Sequence, residues 1–324
     1  MEKSLARKRQ AGAASAPVVP ALVRAGGEKA ARKFLEFFAA QIRNANTREA
    51  YTRAVASFLD WSESRGVRQL CEIQPIVVAG YIEDLLTAYA APTVKQHLAA
   101  IRMLFDWLVV GHIIETNPAS SVRGPKHIVK RGKTPVLTAG EARQLLDSID
   151  VESVIGLRDR ALIGLMVYSF ARVSAAVSMQ VEDYFQEGKR SWFRLREKGG
   201  KEHVVPAHHN AQAYLDGYLL AARIAGDNES PLFRTIDRHG RTTARGMTRN
   251  DALRMVKRRA RQAAIPERIC CHSFRATGIT AYLENGGTIE HAQAIAAHES
   301  PRTTKLYDRT GDEITLDEIE RILV

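Results

Sequence analysis

Trp192-Phe-Arg-Leu-Arg196, Glu197-Lys-Gly-Gly-Lys201 and Glu202-His-Val-Val205 make up the stretch that decides the fold class. Two runs rich in aromatic and β-branched residues flank a pair of glycines, and such glycines suit the positive φ angles of a tight turn, so the stretch predicts a β-hairpin. Lys198 and Lys201 then sit at its exposed tip. The apolar residues elsewhere recur at helical spacing. The second half of the chain is therefore expected to be a mixed α+β domain, mostly helical, with a small antiparallel sheet.

Towards the N-terminus, Thr138-Ala-Gly-Glu141 has the Thr-x-x-Glu pattern of a capping box and opens a helix carrying Leu145, Leu146 and Ile149. Ahead of it, residues 123–133 contain Arg123, Lys126, Lys130, Arg131 and Lys133, no acidic residue, and the Gly/Pro punctuation of a linker. Such a tract either lies along something negative or is a solvated tether. Residues 29–122 read as a helical bundle of about four helices. Ala31 to Ile42 and Ile76 to Ala88 are two of them. A third carries Tyr51, Val55, Phe58 and Leu59 behind an Asn46 or Thr47 cap, and a fourth has Val94, Leu98, Ile101, Phe105 and Leu108 on one face. Residues 1–28, rich in Ala, Pro, Gly and basic residues, are expected to be a flexible basic arm.

The whole chain agrees with this division, since 324 residues at roughly 150 per domain gives about two domains. Lys plus Arg number 47 against 36 Asp plus Glu, a net charge of +11, which favours a polyanion: DNA, RNA or an anionic membrane surface. No transmembrane span is expected, because the longest apolar stretch, Ala161 to Ala171, falls well short of the roughly 20 residues needed. The basic N-terminus lacks the continuous apolar segment of a secretory signal. Three cysteines, Cys71, Cys270 and Cys271, make no disulfide framework and fit a reducing cytoplasm. Cys270-Cys271-His272 lacks a second ligand pair at zinc-site spacing, so no metal site is expected.

The residues with chemistry to offer are spread over the second domain. Each has an ordinary explanation when taken alone. Arg172 ends the apolar helix from Ala161, where the macrodipole favours a cation. His272 and Arg275 stand at i and i+3 on one helix face and could be a surface pair. His298 precedes Ser300-Pro301, which by residue type read as a cap and first helical residue, and could serve that cap. Tyr307 beside Leu306 could be half-buried packing. Together they meet one chemical need. Breaking a phosphodiester without a metal requires cations on the non-bridging oxygens, a nucleophile, and a proton donor for the leaving oxygen. Two arginines can clamp phosphate bidentately, and a tyrosine whose unperturbed pKa is near 10 needs a base and positive neighbours to act as nucleophile. A lysine on a hairpin tip can reach the leaving oxygen.

In order and spacing, Arg172-Val-Ser174, Lys198-Gly-Gly-Lys201, His272-Ser-Phe-Arg275, His298 and Tyr307, nine residues after His298, resemble the signature of the tyrosine recombinases, also called the phage integrase family. The resemblance runs from about residue 30 to 324. It includes Asn46-Thr47, Tyr51, Phe58-Leu-Asp-Trp61, Leu98-Ala-Ala-Ile-Arg102, Phe105-Asp-Trp-Leu108 and Asn117-Pro118, which look like the family's helical, SAM-like core-binding domain. It implies a catalytic domain over residues 134–324 and a C-shaped clamp on duplex DNA. It also implies site-specific cleavage and rejoining through a 3′-phosphotyrosine, with no metal or nucleotide cofactor. By resemblance, Tyr307 is the nucleophile, Arg172 and Arg275 hold the phosphate, and Lys198 is the general acid, with Lys201 as the alternative. His272 assists proton transfer and His298 hydrogen-bonds the phosphate. Arg102, Arg123, Lys126, Lys130, Arg131, Lys133, Lys201, Arg254, Lys257 and Arg258 are the expected DNA-binding residues. Residues 308–324 are expected to dock on a neighbouring protomer in a dimer and tetramer on DNA, or else to pack in cis. Accessory DNA-bending or directionality proteins are possible further partners, and a cytoplasmic, nucleoid-associated location is expected. The short stretch ahead of residue 29 leaves no room for the arm-site-binding domain of larger phage integrases, so a two-domain recombinase is expected.

Two departures stand out. Ala175 replaces the family's common Glu after Arg-x-Ser, and Phe170-Ala171 replaces its Gly-Leu before the Arg. The rival readings are topoisomerase-like relaxation and a non-catalytic DNA-binding regulator on the same fold.

Overall fold

The computed structural model describes residues 19–127, 132–197, 200–266 and 268–308. Lys130, Arg131, Lys198 and the tail from residue 309 lie outside them, as does most of the expected basic arm. The chain divides into two compact units, Met1–Ile128 and Val129–Val324.

Every regular element among the first unit's described residues is helical. Helices α1 (Ala21–Ala25) and α2 (Gly27–Glu36) lead into a π-helical turn at Phe37–Gln41, followed by α3 (Ala45–Ser64), α4 (Pro75–Ala88) and α5 (Ala91–Val110). Residues 21–28 correct the arm expected to end at residue 28. Leu22 and Val23 are buried, and the Leu22 N–H donates to Glu63 Oε1 at 2.8 Å. A five-residue helix is too short to show a period in sequence, and its order comes from packing on distant residues. The cap of α3 is Asn44, whose side chain accepts from the N–H groups of Asn46 and Thr47, in place of either of those residues. Val55, Phe58 and Leu59 of α3 meet Tyr81 of α4 and Leu98, Ile101 and Phe105 of α5 in one core, with edge-to-face aromatic pairs such as Phe58–Tyr81 at 5.1 Å. Arg102 serves this packing. Its Nε donates to the Ala119 carbonyl at 3.0 Å and a second nitrogen donates to the Val122 carbonyl, so its guanidinium holds the segment that leaves the bundle.

The second unit is organised around α7 (Val154–Tyr168), which follows α6 (Ala139–Asp147) and its Thr138/Glu141 capping box. α7 is apolar on nearly every side because it is the central helix: Ala161, Leu162, Ile163, Leu165 and Met166 are all buried. It packs against α9 (His209–Ala222) and α11 (Cys271–Glu284). Between α7 and α9 come the short α8 (Val173–Val177) and an antiparallel sheet of β1 (Tyr184–Glu187), β2 (Arg190–Arg196) and β3 (Glu202–Pro206). β2 and β3 form the hairpin, with Arg196 opposite Glu202. A second pair, β4 (Arg234–Ile236) and β5 (Thr242–Gly246), precedes α10 (Arg249–Gln262). Helices α12 (Ile289–Ile295) and α13 (Pro301–Lys305) close the described part of the unit.

Two findings alter the reading of the basic residues. Arg172 does not end α7. The helix stops at Tyr168, Phe170 turns the chain at φ 53°, and Arg172 is the N-cap residue of α8, where a helix dipole disfavours a cation. In α10, the basic run 254–261 is partly internal. Arg259 is buried, and Asp159 of α7, which is fully buried, accepts from Arg259 Nε at 2.9 Å, from Arg258 at 2.8 Å and from Arg158 at 2.6 Å. A buried carboxylate needs such partners, and Arg258 and Arg259 fasten α10 to α7.

Candidate active site

Arg172, His272, Arg275, His298 and Tyr307 converge from four short segments, and α11 carries two of them. His272 and Arg275 lie one turn apart in its first two turns. The backbone places α11 unusually close to the end of α7 because residue 278 is glycine. A Cβ there would stand 2.0 Å from the Val167 carbonyl oxygen and 2.8 Å from the Phe170 ring. This approach lets Arg275, 1% exposed, reach two carbonyls. NH1 donates to Phe170 and NH2 donates to Ala296 at 2.7 Å. Phe170 itself and Ala297, next to Ala296, both adopt left-handed backbone, at φ 53° and 47°. Residues with side chains rarely do so, and a buried charged donor at each turn helps hold it.

Tyr307 follows α13 and is anchored through its backbone, whose carbonyl accepts from Thr280 Oγ1 of α11 at 2.9 Å. Its side chain is buried, with Oη 2.7 Å from His272 Nε2. The His298 ring stacks on it at 5.8 Å between centroids and 7° between planes. His298 Nδ1 lies 2.8 Å from the Thr304 hydroxyl. A neutral imidazole that accepts there carries its hydrogen on Nε2 and can donate it to an anion.

The electrostatics favour neutral histidines beside fixed cations. Burial and the charges of Arg275 and Arg172 lower the pKa of His272, although the residue is exposed to solvent in part. The same causes, with His272 added, push His298 down to about 3. Burial raises the Tyr307 phenol above its usual value, while Arg275 and Arg172 oppose the rise. Burial and the neighbouring Arg172 lower even Arg275, to about 10, so it keeps its charge at neutral pH. The arrangement offers a neutral base on the tyrosine hydroxyl and two cations around the place where an anion would sit. That is the equipment for nucleophilic attack on a phosphodiester.

Sequence reasoning missed one member. Glu197, 6% exposed, pairs with Arg172 through Oε2 and lies 3.9 Å from Arg275 NH1 through Oε1. The signal was present in the alternation of β2: Phe193 and Leu195 face the core, and Glu197 continues that inward series. Thr280 and Thr304, which position Tyr307 and His298, had no distinguishing pattern. Lys201 is exposed and lines a cavity of about 420 Å³ with His203, Gln293 and His298. Of the expected DNA-binding residues, Arg123, Lys126, Lys133 and Arg254 are exposed, Arg254 paired to Asp251. Lys257 is half-buried, and Arg258 divides its exposure with the Asp159 pair.

A family model described as the phage integrase family matches residues 135–313, and one described as the phage integrase N-terminal SAM-like domain matches residues 31–111. The tyrosine recombinase XerD of Ralstonia nicotianae is 30% identical over 271 residues, covering 83% of this chain and 85% of the relative. XerD of Corynebacterium glutamicum is 27% identical over 288 residues, covering 86% and 91%. Among solved structures, the XerH site-specific recombinase bound to its difH substrate before cleavage has a similar fold. Its TM-score is 0.66 at 16% identity, over 97% of this chain and 98% of that one. A lambda integrase dimer bound to a COC′ core site gives 0.64 at 18% identity, over 88% and 78%. Among the described residues, no helix is long and apolar enough to cross a membrane.

Proposed function

The chain belongs to the phage integrase family, and on that premise we propose that Arg172, Lys198, His272, Arg275, His298 and Tyr307 cleave and rejoin DNA in the roles that their chemistry suits. The protein is a tyrosine-type site-specific DNA recombinase. Tyr307 Oη attacks the scissile phosphorus and passes its proton to His272. The 5′-oxygen leaves, taking a proton from Lys198, and a 3′-phosphotyrosyl link remains. Attack on that link by a 5′-hydroxyl of the partner duplex runs the steps backwards and frees Tyr307. Arg172 and Arg275 neutralise the non-bridging oxygens, and His298 donates to one of them. The bond energy is kept in the protein–DNA link, so no external energy source is consumed.

The observation that carries this reading is the 2.7 Å contact between Tyr307 Oη and His272 Nε2 with both arginines alongside. A free phenol near pKa 10 lies about three units above neutral, a deficit of roughly 4 kcal/mol. Burial enlarges it, so an adjacent neutral base and two guanidinium groups have an evident purpose at this tyrosine. Arg123, Lys126, Lys130, Arg131, Lys133, Lys201, Arg254, Lys257 and Arg258 are the proposed contacts to the duplex backbone. Arg102 is half-buried with Nε and one terminal nitrogen on the Ala119 and Val122 carbonyls, which leaves its other terminal nitrogen as its proposed contact to the duplex. Dimers and tetramers on DNA through residues 308–324, and accessory DNA-bending or directionality proteins, belong to the same proposal.

Capture of DNA covalently attached to the protein in cells, after denaturing washes, tests the reading. The wild type is expected to yield adducts at discrete sites, and Tyr307→Phe to bind the same duplex without forming any. Wild-type protein with no adduct, or adducts that persist in Tyr307→Phe, would overturn it.

A further inference from the structure

We propose that Glu197 is a positioning residue for strand cleavage: it aligns Arg172 beside Arg275 and links Arg172 to the β2–β3 hairpin. The inference rests on the catalytic reading above and adds a carboxylate to it. Arg172 has a long side chain that is 32% exposed, and a guanidinium in that setting has many rotamers available. Its neighbour Arg275 has the same charge, and the two repel. Between them sits the Glu197 side chain, 2% exposed, with one oxygen on Arg172 and the other 3.9 Å from Arg275. Among the described residues, no other carboxylate pairs with either arginine. Ala175, in the first turn of α8 after Arg172, is fully buried and brings only a methyl group.

The backbone of Glu197 makes the second connection. Its N–H donates to the Lys201 carbonyl at 2.7 Å, and its carbonyl accepts from Gly200 at 3.2 Å. The same residue thus joins β2 to Lys201 at the head of β3 and pairs with the proposed phosphate-binding arginine. Glu197 Oε1 and Arg275 Nε are both buried without a hydrogen-bond partner. A phosphate oxygen can accept from Arg275 Nε, whereas Glu197 Oε1 is itself an acceptor and has only the guanidinium groups beside it to answer its charge.

A carboxylate here also has a cost, because it cancels part of the positive charge meant for phosphate. The two effects predict opposite signs. If alignment dominates, removing the negative charge slows cleavage, and if neutralisation dominates, it speeds cleavage. Misplacement of about 1 Å can cost on the order of 100-fold, so alignment should win.

The test uses the full-length protein and the duplex recovered with the wild-type adduct, nicked beside the scissile phosphate so that cleavage is trapped. Glu197→Gln should bind it within about twofold of wild type yet form adduct roughly 10–100-fold more slowly. Glu197→Asp, which keeps the charge on a shorter arm, should recover part of the rate, and thermal melting of each variant reports folding. Because Glu197 acts through Arg172, adding Glu197→Gln to Arg172→Lys should change the rate by less than about twofold. Glu197→Gln cleaving at or above the wild-type rate would overturn the inference. So would a loss that adds in full to that of Arg172→Lys, or a folded Glu197→Asp no faster than a folded Glu197→Gln. If Glu197→Gln does not fold, Glu197→Asp decides alone by the same additivity criterion. Failure of the wild type to form adduct overturns the catalytic reading itself, a result distinct from all of these.

Discussion

His298 shows how much a single side chain in this site depends on its surroundings. Its ring is 5% exposed, stacked on Tyr307, and surrounded by Arg275, Arg172 and His272, so its pKa falls from 6.5 to about 3. In the unfolded chain it regains the ordinary value. Between pH 6.5 and 3 the unfolded state therefore binds a proton that the folded state refuses. Stability is fully present above pH 6.5 and is lost as the pH falls through that window, by up to about 1.4 kcal/mol per pH unit from this residue. His298→Gln removes the titration, so its stability should decline less steeply from pH 6 to pH 4 than that of the wild type, by about that slope. Denaturant unfolding at a series of pH values measures it, and parallel curves for the two proteins would contradict the argument. His272 is depressed for the same reasons, which keeps it available as a base below the usual histidine range.

At the scale of elements, the approach of α11 to α7 governs where Arg275 can reach. Gly278→Ala puts a methyl carbon against the Val167 carbonyl oxygen, a backbone atom that cannot move alone, and against the Phe170 ring. The expected cost is about 1–3 kcal/mol, together with slower adduct formation, since Arg275 lies one turn away and bonds the Phe170 carbonyl. Gly217→Ala in α9 is the contrast. Its added methyl would meet only Leu157 at 3.6 Å, an ordinary contact, and should stabilise the helix by about 0.5–1 kcal/mol. Chemical denaturation distinguishes the pair, and equal effects at both glycines would refute the packing account. The elements legible in the sequence are those with local causes: the Thr138/Glu141 box, the glycine turn of the β2–β3 hairpin, and the periodic faces of α3 and α5. β4 and β5 escaped notice because a three-residue strand and its polar partner carry no alternation, and their pairing depends on distant neighbours. The α3 cap and the end of α7 shifted for a similar reason, since competing Asn and Ser residues are separated only by the folded backbone. Within the site, residue types and spacing pointed to Arg172, His272, Arg275, His298 and Tyr307, but Glu197 gained its meaning only when the turn brought it against Arg172.

For the molecule as a whole, the question is whether one chain supplies a complete reaction centre. Tyr307 lies 2.7 Å from His272 of its own chain, its backbone is tied to Thr280 of the helix that carries Arg275, and its ring lies against His298. Moving the phenol to another protomer would break the Thr280 bond, expose a buried ring and leave His272 without its partner. On the proposed roles, Tyr307 and the two arginines should therefore act together in cis. Mixing two inactive variants tests this: Tyr307→Phe retains the arginines, and Arg275→Ala retains the nucleophile. If the tyrosine were donated between protomers, a mixed assembly would contain one centre with both, and cleavage would return. With delivery in cis, no protomer of the mixture has both, and adduct formation should stay at the level of the separate variants. Recovery of cleavage on mixing would show that Tyr307 leaves the place it occupies here, and that contacts made on DNA outweigh the Thr280 and His272 hydrogen bonds together.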